Sequence, residues 1–161
     1  PISSSDFPMN FIINTIPHEA NFTKLPPKSD VVNYGKYLTN AAGCVECHTK
    51  FEKGGLVAGT EFGGGREFTF PNGSIVRSSN ISSYNTTGLG ALSEEEFVHF
   101  FRSRTDSTLV NKKLNPGDFN SVMPWTMYGS MHEEDLKAIY AYLKTVVPIN
   151  NSVEKFTSAP E

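Results

Sequence analysis

The chain has 161 residues, of which 38% are hydrophobic and 19% are charged, and its formal net charge is −3. This composition is too apolar for a disordered protein and fits one domain with flanking segments. The negative charge disfavours a general nucleic-acid binder, and no apolar run approaches the roughly 18 residues of a membrane span. Because the chain begins at Pro1, we expect a processed or trimmed product, in which any export signal or anchor would no longer be visible.

Residues 1–29 are rich in Ser, Asn and Pro and show little periodicity, so we expect an N-terminal arm or tether. The first helix should begin after Asp30, a plausible N-cap, because Tyr34 and Leu38 recur at helical spacing. Gly35 lies in this apolar stripe, where glycine costs about 1 kcal/mol relative to alanine. Its position suggests that another element approaches closely, the alternative being a merely tolerated glycine.

The only two cysteines of the chain, Cys44 and Cys47, are followed at once by His48. This C-x-x-C-H pattern is typical of c-type haem attachment. Two thiols one helical turn apart can each add to a vinyl group of the same haem, and the adjacent histidine then lies under the iron as its proximal ligand. The pattern therefore predicts one covalently attached haem c.

Three other uses of these cysteines fit the sequence less well. A thioredoxin-like dithiol would follow a strand in a βαβ unit, whereas here a helical pattern precedes the motif. A zinc ion needs four ligands, so Cys44, Cys47 and His48 would require a distant partner. The histidines available as that partner are His18, His99 and His132. A disulfide between two cysteines so close in sequence would be strained.

The remainder of the chain predicts irregular segments followed by two helices. Residues 51–92 contain repeated glycine-rich turn signals, which predict mostly irregular chain with room for a small hairpin. Ser93 and Glu96 form a capping box and predict a helix with three phenylalanines on one side. A final helix should cover residues 132–145, where apolar side chains recur at helical spacing, and end before Pro148.

A second axial ligand would close the iron to gases and peroxide. Met123 is favoured because the following Pro124 holds it in an extended conformation, in a loop ahead of the final helix. Met127 and Met131 compete on sequence grounds alone, although most methionines only fill gaps in a core. The other candidates are Met9, His18, His99 and His132.

Several further segments accompany the C-x-x-C-H motif. They are Tyr34-Gly35-Lys36-Tyr37-Leu38, Gly63-Gly64-Gly65-Arg66, Asn80-Ile81-Ser82, Gly88-Leu89-Gly90, Ser93-Glu94-Glu95-Glu96-Phe97, Met123-Pro124-Trp125 and Ala141-Tyr142-Leu143. Together these segments resemble a class I cytochrome c domain, and more narrowly the cytochrome c modules of bacterial membrane-associated alcohol and sugar-acid dehydrogenases. The chain lacks the proline that usually follows the haem histidine in this family, so the carbonyl partner of the His48 Nδ1–H group is not identified.

The resemblance implies an all-α protein with a class I cytochrome c fold, in which three to four helices surround one covalent haem with long irregular loops. It covers residues 30–149, which leaves an arm or tether over 1–29 and a C-terminal tail over 150–161. It also implies that Met123 is the axial methionine and that the Gly35 stripe crosses the Tyr140/Leu143 stripe.

The function implied is one-electron transfer by a His48/Met123-ligated haem c, so that the chain is an electron carrier and not an enzyme. The expected partners are redox proteins: a dehydrogenase, an oxidase or a quinol-oxidising complex in the periplasm or on the outer face of the cytoplasmic membrane. Asn80 and Trp125 are weaker candidates for hydrogen bonds near the haem propionates; the alternatives are a loop-turn amide and a packed aromatic. The rival function is a haem sensor or a peroxidase-like enzyme with an open sixth iron site.

Overall fold

The structure is a computed structural model that describes residues 7–16, 19, 24–105, 113–115 and 118–159. Within these residues, helices form most of the regular structure. The α-helices are α1 (Met9–Ile12), α2 (Val31–Ala41), α3 (Cys44–Cys47), α4 (Glu94–Arg102), α5 (Trp125–Gly129) and α6 (Glu133–Leu143), and 3-10 turns follow α1 and α4 at Ile13–Thr15 and Ser103–Thr105.

Side-chain caps fix where α2 and α4 begin. A carboxylate oxygen of Asp30 accepts the backbone N–H of Asn33 at 3.3 Å. At α4 the Ser93 hydroxyl accepts the backbone N–H of Glu96, and the Glu96 carboxylate accepts the backbone N–H of Ser93. Each cap satisfies a donor that the first turn of a helix leaves unpaired. Both predicted helix starts are confirmed.

Helices α2 and α6 cross in close contact at Gly35. A Cβ atom at this position would collide with the backbone carbonyl of Ala138 and approach the Cβ of Tyr142 to 3.1 Å. The close approach expected from the sequence is thus confirmed, with Ala138 and Tyr142 as the residues of α6 nearest to Gly35. Leu38, on the same stripe of α2, packs against the buried cluster that contains Leu143. The absence of a side chain at Gly35 allows the two helices to lie backbone to backbone.

The apolar core lies where α4 and α6 meet the loop around residue 62. Phe62, Phe97, Ile139 and Leu143 form its buried cluster, and each exposes 6% of its surface or less. The half-buried Cys44 packs against this cluster. The core therefore supports the inner side of the C-x-x-C-H segment.

Five short strands form two small antiparallel sheets among the described residues. They are β1 (Phe51–Glu52), β2 (Gly55–Leu56), β3 (Glu67–Thr69), β4 (Ile75–Arg77) and β5 (Phe156–Thr157). Strand β1 pairs with β2, and the second sheet has the order β3-β4-β5. The prediction of an all-α protein is therefore incomplete: glycines with positive φ, at 84° for Gly54 and 87° for Gly73, turn the chain back on itself and allow these hairpins.

The C-terminal segment pairs with strand β4 through β5. Phe156 lies opposite Val76, and Thr157 lies opposite Ile75. The division into an arm (1–29), a haem domain (30–149) and a tail (150–161) stays a prediction, to which the structure adds this pairing of the tail with β4. No helix within the described ranges is long and apolar enough to cross a membrane.

Candidate haem-binding site

The short helix α3 holds the two thiols. Gly43 precedes it in a left-handed conformation with φ of 65°, which separates α3 from α2. The backbone N–H of His48 donates to the Cys44 carbonyl at 2.9 Å, so that the motif closes one helical turn. Both cysteines are free; Cys44 is half-buried and Cys47 is exposed. Burial raises the pKa of the Cys44 thiol to about 11.

His48 is oriented by a main-chain carbonyl. Its Nδ1 lies 2.7 Å from the carbonyl oxygen of Ser79. Because a carbonyl oxygen only accepts, Nδ1 carries the proton and Nε2 keeps a free lone pair. Burial lowers the pKa of the His48 imidazole, which favours the neutral ring that binds a metal. Ser79 is thus the carbonyl partner that the sequence did not identify.

The glycine-rich loop packs against the peptide between Ser79 and Asn80. Gly64 has a φ of 73°, and its backbone N–H donates to the His48 carbonyl at 2.7 Å. A Cβ at Gly64 would lie 2.5 Å from the Ser79 carbonyl carbon and 2.6 Å from the Asn80 nitrogen. Only glycine permits this approach, so Gly64 fixes the main chain of His48 and of its carbonyl partner together.

Asn80 uses its side-chain amide within the protein. The residue is 5% exposed, and its Nδ2 lies 3.0 Å from the Thr87 hydroxyl and 2.7 Å from the Ile149 carbonyl. Its Oδ1 accepts the backbone N–H of Ser82 at 2.9 Å. These contacts are those expected of a loop-fixing amide. A hydrogen bond from Asn80 to a haem propionate stays a prediction.

Ser121 organises the segment around Met123. Its hydroxyl oxygen accepts the backbone N–H of Met123 at 3.1 Å and the indole N–H of Trp125 at 3.2 Å. The half-buried indole also packs against Phe100 and Phe101, with ring centroids 5.4 and 5.8 Å away. Trp125 therefore has the contacts of a packed aromatic that shapes the Met123 loop, and its predicted role near a propionate stays untested.

The three methionines after residue 120 differ in their surroundings. Met123 is half-buried, whereas Met127 is 68% exposed. Met131 packs against the apolar core cluster. The contacts of Met131 are those of a core residue. Met9, on α1, is 56% exposed, and His18 lies outside the described residues.

Tyr128 places α5 beside the thiols. Its pKa is raised, first by burial and then by the negative charges that Cys44 and Cys47 carry when ionised. The Tyr128 hydroxyl donates to the Ala42 carbonyl at 2.7 Å. The segment that follows Met123 and the C-x-x-C-H helix thus belong to one site.

Arg66 is a further residue at the site that sequence reasoning noted only as part of a motif. Its guanidinium donates to the Glu46 carbonyl, between the two cysteines, and stacks over the Phe51 ring at 4.4 Å from the centroid. A main-chain carbonyl leaves no signal in the sequence, so neither the Arg66–Glu46 contact nor the Ser79 contact could be read from residue types.

The donor set fits a covalently attached haem. Cys44 and Cys47 are free and lie one turn apart on α3, and the lone pair of His48 Nε2 is available. Among the described residues no group of three His, Cys, Asp or Glu side chains is arranged to hold a metal ion, so the structure gives no support to the zinc alternative.

The chain is similar to the cytochrome c subunits of several dehydrogenases. It is 32% identical over 120 residues to the gluconate 2-dehydrogenase cytochrome c subunit of Pantoea cypripedii, which covers 74% of the chain and 24% of that relative. It is 34% identical over 118 residues to the fructose dehydrogenase cytochrome subunit of Gluconobacter japonicus, covering 72% and 21%. The alcohol dehydrogenase (quinone) cytochrome c subunit of Gluconacetobacter polyoxogenes is 32% identical over 117 residues, covering 71% and 21%. No protein-family model matches.

The chain thus matches one cytochrome c module of these dehydrogenase subunits, which confirms the predicted resemblance. It spans about a fifth to a quarter of the length of these relatives. This homology supports a class I cytochrome c fold, and the described residues add two small sheets to its helices.

Proposed function

We propose that the chain is a one-electron carrier with one haem c attached through Cys44 and Cys47, and with His48 and Met123 as axial ligands. The observation that carries this proposal is the hydrogen bond from His48 Nδ1 to the Ser79 carbonyl beside two free thiols. It leaves Nε2 as the only ring nitrogen able to bind iron. The homology to cytochrome c subunits supports the same cofactor.

Haem c, once attached, supplies an iron that cycles between the ferric and ferrous states. The hydrogen bond from Nδ1 to the Ser79 carbonyl holds the histidine in one tautomer and one orientation. The same bond increases the basicity of Nε2. The Cys44 thiol faces the apolar core and Cys47 faces solvent. One edge of the cofactor would therefore be accessible to a partner while the other is shielded from water.

Met123 is the axial ligand that the described contacts favour. It is half-buried, and Ser121 fixes its main chain. Pro124 prevents helix formation at Met123, so its thioether is presented from a loop. His48 and Met123 would together hold the iron and leave no position for a substrate, so the chemistry that the group would supply is electron transfer.

The proposed partner is a dehydrogenase on the periplasmic side of the cytoplasmic membrane. The relatives are named as cytochrome c subunits of gluconate, fructose and alcohol dehydrogenases. They give no support to the oxidase or quinol-oxidising complex that the sequence also allowed. Residues 30–149 would form the haem domain, with 1–29 as an arm and 150–161 as a tail.

The test is an optical spectrum of the haem-loaded protein in both redox states, repeated under carbon monoxide. Two strong axial ligands should give a low-spin spectrum that carbon monoxide leaves unchanged. A reduced spectrum that shifts at once on adding carbon monoxide would show an open iron, and would favour a haem sensor or a peroxidase-like enzyme.

A further inference from the structure

We propose that the C-terminal segment over residues 149–151 positions the haem-binding histidine, by holding the Ser79 carbonyl through Asn80. Asn80, Ile149 and Asn151 are called the C-terminal latch below. None of them touches the haem ligands directly, so Asn80 and Asn151 are positioning residues. The inference rests on the proposed function, because its effect on the iron requires an attached haem.

The latch joins the segment before the C-terminus to the loop that carries Ser79. The Asn80 amide donates to the Ile149 carbonyl at 2.7 Å, and the two residues are 69 positions apart in the chain. Ser82, fully buried, accepts the backbone N–H of Ile149 at 3.0 Å. Two hydrogen bonds of opposite direction therefore fix the main chain of residue 149 against residues 80–82.

Asn151 extends the latch to the glycine-rich loop. Its Nδ2 donates to the Gly63 carbonyl at 2.9 Å, and its backbone N–H donates to the Thr87 hydroxyl at 3.2 Å. Thr87 also accepts a hydrogen bond from Asn80 at 3.0 Å. A Cβ on Gly63 would lie 2.9 Å from a methyl carbon of Ile149, so these two segments are also in close packing.

The Ser79–Asn80 peptide is consequently enclosed on two sides. Gly64 packs against it from the glycine-rich loop, and the latch holds it from the C-terminal segment. This peptide carries the carbonyl that accepts the His48 Nδ1–H. Outer-shell hydrogen bonds set the orientation and the basicity of a metal-bound histidine. A looser latch should therefore weaken this bond and make Nε2 a poorer donor to ferric iron.

The experiment compares haem-loaded wild-type protein with Asn80→Ala and Asn151→Ala. Two quantities are measured: the exchange rate of the His48 Nδ1 proton by NMR in the reduced state, and the reduction potential. In both variants we expect several-fold faster proton exchange and a higher potential, because a less basic histidine stabilises ferric iron less. Asn151→Ala keeps the Asn80 contacts, so it provides the result if Asn80→Ala does not fold.

Tyr34→Phe is the matched control. It removes one side-chain hydrogen bond from a buried residue, the 3.0 Å bond to Asp135 between α2 and α6, and leaves the latch intact. It should lower the melting temperature without changing the exchange rate or the potential. If the exchange rate and the potential changed equally in the control and in the latch variants, the cause would be a general loss of stability. That result would overturn the proposal.

The failures of the two proposals can be told apart. Wild-type protein that carries no covalent haem would contradict the proposed function. Latch variants that hold the haem as wild type does, with the same proton exchange and the same potential, would contradict the latch alone.

Discussion

The hydroxyl of Tyr128 donates a hydrogen bond to the main-chain carbonyl of Ala42 at 2.7 Å, across 86 positions of the chain. Ala42 is the C-cap of α2, two residues before Cys44. Tyr128 lies on α5, which begins two residues after Met123. This contact connects the two segments that would supply ligands to opposite faces of the haem. The fold, and not the length of flexible loops, therefore sets the distance between these two segments.

Loss of the Tyr128 hydroxyl should loosen the methionine side of the site. Tyr128→Phe removes one partly buried hydrogen bond, which is worth about 0.5–1.5 kcal/mol of folding stability. We also expect the reduced variant to bind carbon monoxide, which the wild-type protein should not do, because α5 is no longer held against the end of α2. Stopped-flow mixing with carbon monoxide measures this binding. A variant that is less stable but binds no carbon monoxide would show that the contact supports the fold only.

Replacing Met123 should open the iron. Met123→Ala should abolish the weak long-wavelength sulfur-to-iron band of the ferric protein, allow carbon monoxide to bind and lower the potential, because methionine favours ferrous iron. Met127→Leu and Met131→Leu are the controls and should keep all three properties. A band lost in Met127→Leu and kept in Met123→Ala would place the ligand one helical turn later.

The crossing of α2 and α6 should not tolerate a side chain at Gly35. Gly35→Ala directs a methyl group at the Ala138 carbonyl, and we expect it to cost about 1–3 kcal/mol of stability through overpacking. Gly55→Ala is the matched control, since no atom lies within 4 Å of a Cβ at that position and its φ is not positive. Denaturant unfolding of both haem-loaded variants measures the difference. Equal stability would contradict the close crossing.

Docking to a dehydrogenase should be fast and transient. Redox encounters of this kind usually bury less than about 1,200 Å². The net charge of −3 gives little overall steering, so charges near the exposed Cys47 side should determine how the rate depends on salt. Electron-transfer rates measured from low to high ionic strength test this. A flat salt dependence would indicate a mainly apolar contact.

Helices were predictable from the sequence where apolar spacing and caps agree. Asp30 and the Ser93/Glu96 pair mark the starts of α2 and α4, and both caps form. The glycine-rich turns of residues 51–92 predicted a small hairpin, and the structure has two there, β1–β2 and β3–β4. The bounds of the strands were not predictable because each strand is only two or three residues long, which is too short for an alternating pattern. Their positions depend on glycine turns and on pairing with the C-terminal segment.

The covalent part of the candidate site is likewise local in sequence, because the C-x-x-C-H motif lies within five residues. Its surroundings are not local. The Ser79 carbonyl contacts His48 across 31 positions and Ile149 contacts Asn80 across 69. Both contacts use main-chain oxygens, which every residue type supplies equally. Such partners can be identified only once the fold brings the segments together.

The most direct test of the whole account is whether the haem is covalently attached. Protein matured with haem is extracted with acidic acetone, and the pigment is measured in both phases. Wild-type protein should keep its haem in the precipitate, Cys44→Ala and Cys47→Ala should each weaken attachment, and the double variant should release the pigment. Wild-type haem that passes into the acetone, or correctly matured protein without haem, would contradict the central claim.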